Sequence, residues 1–282
     1  MNQRKSLKEL NLLDKFLFDE AMDDPENVKT MLDIILSQNT NLKHPPQTEK
    51  EQRTATDNRQ IRLDIYAIDE DDVIYEVEAQ KENTHNLPKR SRLYQGIIDS
   101  KLLPPGVVDF NLLNEVLIVL IMPFDLFGYG LYRYTFQMKC QEIPELKLDD
   151  GATRIFLNTK GKHPESVSPE LIELLKYMEH STDEVSEACE SKRIQEMHRR
   201  VCQIRASEKT EVKYMQSWEE RIMIKQEGIA EGRIEGEKAL LKSLIEKKMA
   251  KKYSAEQISA MLEVDVSEVE NIMKEIQNEK YL

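Results

Sequence analysis

Two short runs of alternating side chains between residues 61 and 80 carry carboxylate and amide groups that could bind a metal ion. Asp64 lies in the first run. Glu76, Glu78 and Gln80 share one side of the second, because side chains two residues apart in a strand project to the same face. Hard divalent cations such as Mg²⁺ prefer oxygen ligands, which these side chains supply. The pattern therefore predicts a metal site on two strands, with Asp64 and Glu78 as its carboxylates.

The turn between the two runs sets a geometric condition for this site. Residues 69–72 are all acidic, which is typical of a turn and predicts an antiparallel hairpin. A slip of one residue in the pairing moves a whole strand to the other face. Asp64 and Glu78 can share a face only if the numbers of paired residues sum to an even value, which requires a loop of odd length or a bulge.

The segments around the hairpin predict a single mixed α/β domain that ends near residue 180. Two helical segments precede the hairpin, and the polar stretch 39–58 that follows them is interpreted as a loop. The first strand is expected to bury one side, formed by Ile61, Leu63, Ile65 and Ala67. The later elements are a helix at 91–103, a buried strand at 115–122, a strand beside it at 130–137, a strand at 153–158 and a helix starting at Ser168.

The hairpin and its neighbouring segments resemble one known family. The spacing from Asp64 to Glu78 and Gln80 is similar to the core of the PD-(D/E)XK nuclease superfamily, with Gln80 at the position of the usual Lys. The wider resemblance, to the Rpn family of recombination-promoting nucleases and transposase-like proteins, includes LLDKFLFDEAMDDPENVKTMLDIIL, LPKRSRLYQGIIDSKLL, VLIVLIMPFDLFGYGLYRYTF and EGIAEGRIEGE. It covers most of the chain and implies a restriction-endonuclease-like α/β fold, in which helices flank a mixed sheet and a long helical C-terminal arm follows.

The resemblance also implies a function, that of a metal-dependent DNA endonuclease acting in recombination or in mobile elements. Mg²⁺ or Mn²⁺ would be held by Asp64, Glu78 and the backbone carbonyl of Ala79. The third catalytic position, Gln80, can orient a water molecule by hydrogen bonding but brings no positive charge. We therefore expect phosphodiester hydrolysis, and Gln80 is the reason to test the activity directly.

Further candidates for the site lie on the second strand and on the first helix. Glu76 either assists the metal or is an ordinary polar strand residue, and Lys81 alternates to the opposite side of the strand. The superfamily also uses an acidic residue on its first helix. Among Asp14, Asp19 and Glu20, the resemblance places Asp14 best, because it precedes the Phe-containing motif.

Charge and composition restrict the partners of the chain. A net charge of -12 argues against a protein that coats nucleic acid nonspecifically. The basic residues directly after the hairpin, Lys89, Arg90 and Arg92, are candidates for contacts with DNA, although a solvated helix start is the other interpretation. No apolar run approaches the roughly 18 residues that cross a bilayer, and the N-terminus lacks a signal-like apolar region. We expect a cytoplasmic protein without a membrane partner.

Cysteine and histidine give no metal-binding motif in the sequence. Cys140, Cys189 and Cys202 are scattered, and the five histidines show no recurrent spacing. We therefore expect reduced, structural thiols and no zinc site.

The C-terminal third of the chain indicates assembly. Beyond the nuclease-like domain at 1–180, we expect an extended helical arm at 181–252 and a small helical unit at 253–282. In the arm, Gly228, Gly232 and Gly236 share a helical face that either admits a second helix or is simply exposed to solvent. A homodimer through these helices is expected. The alternative function is a catalytically weak or inactive binding protein that retains the nuclease fold and oligomerises through the arm.

Overall fold

A six-stranded mixed sheet forms the centre of the first of two compact units, Met1–Tyr214 and Met215–Leu282. The structure is a computed structural model and describes residues 4–52 and 61–279. The strand order is β1-β2-β3-β4-β6-β5, in which β3, β4 and β6 are parallel and the other neighbours are antiparallel. The strands are β1 (Gln47–Gln52), β2 (Ile61–Ile68), β3 (Ile74–Ala79), β4 (Val116–Met122), β5 (Arg133–Phe136) and β6 (Ala152–Asn158).

Helices cover both faces of this sheet, which confirms the predicted α/β fold. One core joins a sheet face to α1, α2, α4 and α6, and a second core joins the opposite face to α3. The helices are α1 (Lys15–Met22), α2 (Pro25–Leu36), α3 (Leu87–Asp99), α4 (Pro169–Glu179), α5 (Asp183–Glu187), α6 (Lys192–Ala206), α7 (Glu208–Met249), α8 (Ala255–Leu262) and α9 (Val266–Glu279).

The sequence of β4 explains its central place. Its residues VLIVLIM are apolar throughout, and they enter both cores in alternation, with Val119 and Ile121 on one side and Ile118 and Leu120 on the other. A strand that is covered on both faces has no solvent-facing position to fill with polar residues.

Two strands differ from the sequence prediction. β1 lies within the stretch that was interpreted as a loop, because its residues QTEKEQ are polar and pair only with β2 at the edge of the sheet. Residues 53–58 of that stretch lie outside the described part of the chain. The strand at 133–136 was expected beside β4, but β6 lies between them, so the neighbour prediction was wrong.

The β2–β3 hairpin has the register that the site requires. Ile65 pairs with Val77 and Ile68 with Ile74, so paired numbers sum to an even value and the connecting loop, residues 69–73, has five residues. The expected single buried side of β2 was wrong, because Ile61 and Leu63 enter the α3 core whereas Ile65 enters the other. The change of side falls at Asp64.

Strand β1, which pairs with β2, is distorted opposite the position at which β2 changes side. Thr48 pairs with Ile65 and Lys50 with Leu63, while Glu49 between them has a φ of 49°. This left-handed conformation is costly for a residue with a side chain and breaks the regular alternation of the strand pair. The distortion explains why a strict two-residue period in β2 misplaced half of its apolar residues.

The second unit has a small core of its own. Ile245, Ile258, Val269 and Ile276, from α7, α8 and α9, are its buried residues. Ser254 and Gln257 form a capping box at the start of α8. Helices α5 and α6, which follow residue 180, pack against the core of the first unit. Among the described residues, no helix combines the length and apolar character that crossing a membrane requires.

Asp69 organises the loop that sets the hairpin register. Its side chain accepts hydrogen bonds from the backbone N–H groups of Asp71 (3.0 Å) and Val73 (2.9 Å), and from the hydroxyl of Tyr75 (2.6 Å). Asp69 is only 6% exposed and Tyr75 only 1%, so neither group has water as a ready substitute. These contacts hold five residues in a compact loop.

We predict that Asp69→Ala lowers the free energy of unfolding by about 2–4 kcal/mol, because it leaves a buried hydroxyl and two N–H groups without their acceptor. Urea unfolding followed by circular dichroism measures the change. The control is Asp71→Ala in the same loop, whose exposed side chain should contribute less than about 0.5 kcal/mol. Equal losses in the two variants would contradict the role given to Asp69.

Candidate metal centre

The hairpin register brings Asp64 and Glu78 together across β2 and β3. Ile65 pairs with Val77, and the next residue on each strand beyond this pair is Asp64 on β2 and Glu78 on β3. Asp64 is 6% exposed and Glu78 is 9% exposed, so both carboxylates are largely removed from water. The geometric condition derived from the sequence is therefore met.

Lys15, on α1, gathers three carboxylates around its ammonium group. Its Nζ donates to Asp64 Oδ1 at 2.5 Å and lies 3.2 Å from Asp19 Oδ2 and 3.9 Å from Glu49 Oε1. Glu49 also pairs with Arg62 of β2. The distorted part of β1 thus brings a further acid to the hairpin, where one cation is shared among several anions.

Arg90, on α3, holds the other side of the site. Its Nη2 donates to Glu78 Oε1 at 2.6 Å and also to Gln80 Oε1. The Gln80 amide nitrogen donates to the backbone carbonyl of Glu82 at 2.5 Å, and the Arg90 guanidinium lies 5.8 Å from the ring centre of Tyr94. The Gln80 side chain is therefore fixed next to a permanent positive charge.

Glu76 and Glu78 have carboxylate oxygens without hydrogen-bond partners in the described part of the chain. Both oxygens of the fully buried Glu76 and Oε2 of Glu78 are in this situation. Burial raises the pKa of Glu76 well above its usual value, and Glu78 and Asp64 add to the shift. Burial also raises the pKa of Glu78 to about 7, opposed by Arg90 and reinforced by Asp64. Such groups need either a proton or a cation.

Helix α1 supplies a further acid with a raised pKa. Burial raises the pKa of Asp19 to about 7, against the effect of Lys15 and together with that of Asp64. For Lys15, burial lowers the pKa, but the attraction of Asp64 and Asp19 outweighs this effect and leaves it raised. The ammonium is thus held in its charged form by the carboxylates around it.

The donor set fits a hard divalent cation. Five carboxylates face three cationic side chains, which leaves two negative charges uncompensated when all of them are ionised. Oxygen ligands without partners and a surplus of negative charge are what Mg²⁺ or Mn²⁺ would neutralise. The carboxylates belong to Asp19, Glu49, Asp64, Glu76 and Glu78, and the cations to Lys15, Arg62 and Arg90.

These carboxylates are held apart as they stand. Among the described residues, no three of them bring ligand oxygens within 4.8 Å of one another. The reason is that Lys15 engages Asp64 while Arg90 engages Glu78. A metal ion would bind these two residues in place of part of that ion pairing, so Lys15 competes with it.

The other residues predicted for the site differ in their positions and in their ion-pair partners. Asp14 precedes α1 and pairs with Lys81, and it is Asp19 that shares Lys15 with Asp64. Glu20 pairs with Lys213.

The remaining candidates lie on β3 and α3. Ala79 is the last residue of β3 and pairs with Ile121 of β4. Lys89 and Arg92 are exposed on α3 near Arg90.

Sequence reasoning missed Lys15 and Glu49. The four-residue spacing of Lys15 and Asp19 places them on one face of α1, so this ion pair was available from the sequence. Glu49 could not be assigned in the same way, because β1 lacks the apolar alternation that reveals a strand.

One comparison with known proteins bears on this site. A family model described as PD-(D/E)XK nuclease family transposase matches residues 15–227, a stretch that includes the hairpin, α3 and the whole sheet. No curated protein and no solved structure matches the chain significantly. The matched family supports a nuclease role.

We predict that the stability of the metal-free protein falls between pH 5 and pH 8. An acid with a higher pKa in the folded state binds more protons when folded, so the free energy of unfolding decreases as pH rises through that pKa. For Glu78 this window runs from 4.5 to about 7. Glu76 contributes in the same direction, and Glu76→Gln removes its contribution without removing its volume.

The Glu76→Gln protein should therefore match the wild type at pH 5 and exceed it at pH 8 by at least about 1 kcal/mol, the equivalent of one pKa unit. Urea unfolding with a chelator present, at several pH values, measures both curves. Glu70→Gln, at an exposed acid of the hairpin loop, is the matched control and should leave the pH dependence unchanged. Parallel curves for wild type and Glu76→Gln would contradict the prediction.

Proposed function

Because the chain belongs to the PD-(D/E)XK nuclease family of transposases, as the hairpin motif predicted, we propose that it is a metal-dependent endonuclease that hydrolyses DNA phosphodiester bonds. The observation that carries this proposal is the pair of buried carboxylates, Asp64 and Glu78, in register on adjacent strands and surrounded by other acids. Burying so much negative charge costs free energy that a structural role does not require.

The metal, Mg²⁺ or Mn²⁺, would be held by Asp64, Glu78 and the backbone carbonyl of Ala79. When bound, it would neutralise negative charge on the phosphate and lower the pKa of a water molecule. Glu78 presents an oxygen without a protein partner for this purpose, whereas Glu76 lies deeper and acts on the site through its charge. Asp19 is the proposed acidic residue of the first helix in place of Asp14.

The chain's own cations replace the charge that the usual Lys would bring. Gln80 can orient a water molecule, and its carbonyl oxygen is held by Arg90, so its amide group has a fixed position. Arg90 and Lys15 lie on opposite sides of the two carboxylates and can attract the phosphate oxygens. We propose that these two residues, rather than Lys81, supply the positive charge for catalysis.

DNA binding would use the exposed start of α3. Lys89 and Arg92 are exposed on the helix that carries Arg90, so this helix has basic side chains both at the surface and at the site. In a chain with a net charge of -12, such a local basic patch is needed to hold a polyanion. The family's transposase description supports a place in recombination or mobile elements, in which hydrolysis is the step that we assign.

We predict that the wild-type protein nicks supercoiled plasmid DNA with Mg²⁺ and that Asp64→Asn lowers the rate at least about a hundredfold, because one ligand charge is lost. The same variant should bind Mn²⁺ at least about tenfold more weakly in calorimetry. Asp71→Asn, the same change at an exposed position of the hairpin loop, should keep both properties.

Equal background cleavage by wild type and Asp64→Asn, together with unchanged Mn²⁺ binding, would contradict the nuclease proposal. Cleavage of RNA in place of DNA by the same Asp64-dependent site would correct only the substrate. Absence of cleavage by the wild type would favour the alternative function.

The alternative function is that of a protein with the nuclease fold that oligomerises but does not cleave nucleic acid. Helix α7 is the feature that favours this alternative. A Cβ added at Gly228, Gly232 or Gly236 would meet no atom within 4 Å, and Met223, Ile224, Ile229 and Ile234 are exposed on the same helix. We propose that α7 pairs with a second copy of the chain, because a helix of 42 residues gains most of its stability from packing.

We predict that light scattering gives twice the mass of one chain, and that changing all three glycines to Ala weakens the dimer at least about tenfold by separating the helices. If the helix is simply exposed, the wild type is instead monomeric, and each Gly→Ala change stabilises it by about 1 kcal/mol without a change in mass. Gly96→Ala, at an open helical position of α3, is the control that should retain the wild-type mass.

A further inference from the structure

Three potential metal ligands from α5 and α6 converge in the first unit, remote in sequence from the hairpin. His198 Nε2 lies 2.7 Å from Asp183 Oδ1 and 3.4 Å from Cys202 Sγ, and Cys202 Sγ lies 3.9 Å from Asp183 Oδ1. Within the described residues, this is the one trio of His, Cys and acidic ligand atoms that all lie within 4.8 Å of one another. Imidazole, thiolate and carboxylate are the ligand types that zinc takes in proteins.

The histidine is already oriented for such a role. Its other ring nitrogen, Nδ1, lies 3.0 Å from the hydroxyl of Tyr177, a fully buried side chain of α4, and the two rings meet edge to face. Metal-binding histidines usually have a hydrogen-bond partner at the ring nitrogen that does not bind the metal, because this fixes the ring and its tautomer. Tyr177 therefore leaves Nε2 directed at the other two ligands.

The separations approach those of a tetrahedral site. Bonds of about 2.3 Å to sulfur and about 2.0–2.1 Å to nitrogen or oxygen put neighbouring ligand atoms about 3.3–3.6 Å apart. The observed distance from His198 to Cys202 is already 3.4 Å. The two distances that differ both involve Asp183, whose side chain is 78% exposed and free to move by a few tenths of an ångström.

We propose that Asp183, His198 and Cys202 form a binding site for a zinc-type transition-metal ion, with water as the fourth ligand. The ion would connect the short helix α5 to α6, whose apolar face packs in the main core of the first unit. The site differs in chemistry from the hairpin, because thiolate and imidazole select softer cations than an all-oxygen site does.

The site is accessible to an ion from solvent. Cys202 and Asp183 line an open groove of about 530 Å³, together with Lys8 and Arg205. Burial and the Asp183 carboxylate raise the pKa of the Cys202 thiol, so the thiol keeps its proton while no metal is bound. Coordination of sulfur releases that proton to the solvent, and binding should therefore strengthen as the pH rises.

The proposed site departs from the sequence prediction of no zinc site, and there is a physical reason why the sequence does not indicate it. His198 and Cys202 are four residues apart, which places both on one face of α6, but a single pair of this kind is a weak signal. Asp183 comes from a separate helix, and only the packing of α5 on α6 shows that it completes a trio.

Titration of the full-length, metal-free protein with Co²⁺ tests the site, because cobalt replaces zinc and its thiolate bond gives a charge-transfer absorption band. We expect this band in the wild type, saturating at one equivalent. Cys202→Ser should abolish it, and Asp183→Asn, a change at an exposed position, should weaken Co²⁺ binding at least tenfold. Cys140→Ser is the matched cysteine control and should retain the band, as should Asp64→Asn, because an all-oxygen site gives no thiolate band.

A second measurement uses Zn²⁺ alone and thermal unfolding. With Asp64→Asn present in every protein to weaken the hairpin site, Zn²⁺ should raise the unfolding temperature of the parent and of Cys140→Ser but not of Cys202→Ser, since an ion that binds only the folded state stabilises it. The absence of a thiolate band in the wild type would overturn the proposal. A band that persists in Cys202→Ser, or Co²⁺ affinity unchanged in Asp183→Asn, would also overturn it, and the latter test does not depend on the folding of the cysteine variant.

Discussion

In an antiparallel hairpin, a slip of one residue transfers every side chain of a strand to the opposite face, and the pairing of β2 with β3 therefore decides whether this chain has a site at all. The five-residue loop at 69–73 fixes a register in which Asp64 and Glu78 lie in line. A loop one residue shorter would pair Asp64 with a residue of the opposite face. The hydrogen bonds that Asp69 accepts within the loop and from Tyr75 are thus part of the site, although Asp69 lies at the other end of the hairpin.

The register has an electrostatic consequence that shapes the surroundings. Burial raises the pKa of both Glu76 and Glu78, and the Asp64 carboxylate adds to both shifts. The protein reduces the cost of burying these acids with cations from both sides of the sheet. Lys15 comes from the helical layer on one face, and Arg90 comes from α3 on the other. Lys15 and Arg90 therefore place positive charge beside the carboxylates, whereas Gln80 brings none.

Apolar periodicity and turn chemistry were sufficient to predict the mixed α/β fold, the central strand β4 and the hairpin with its two carboxylates. They failed where a residue's role depends on distant neighbours. β1 is a polar edge strand that only its pairing with β2 reveals, and the order β4-β6-β5 depends on tertiary packing. Our proposal of Asp19 in place of Asp14 rests on the ion pairs of Lys15, and the cluster around His198 depends on the packing of α5 on α6. Contacts between residues that are distant in the sequence cannot be deduced from residue spacing alone.

We propose that the acidic hairpin binds a divalent cation through Asp64 and Glu78. A crystal structure of the wild-type protein with Mn²⁺, with anomalous scattering recorded to locate the metal, is the decisive test. We expect an anomalous peak within bonding distance of carboxylate oxygens of Asp64 and Glu78, with the Lys15 ammonium moved away from Asp64. Ion pairs of Asp64 with Lys15 and of Glu78 with Arg90 that persist at saturating Mn²⁺, without a peak between these carboxylates, would contradict it.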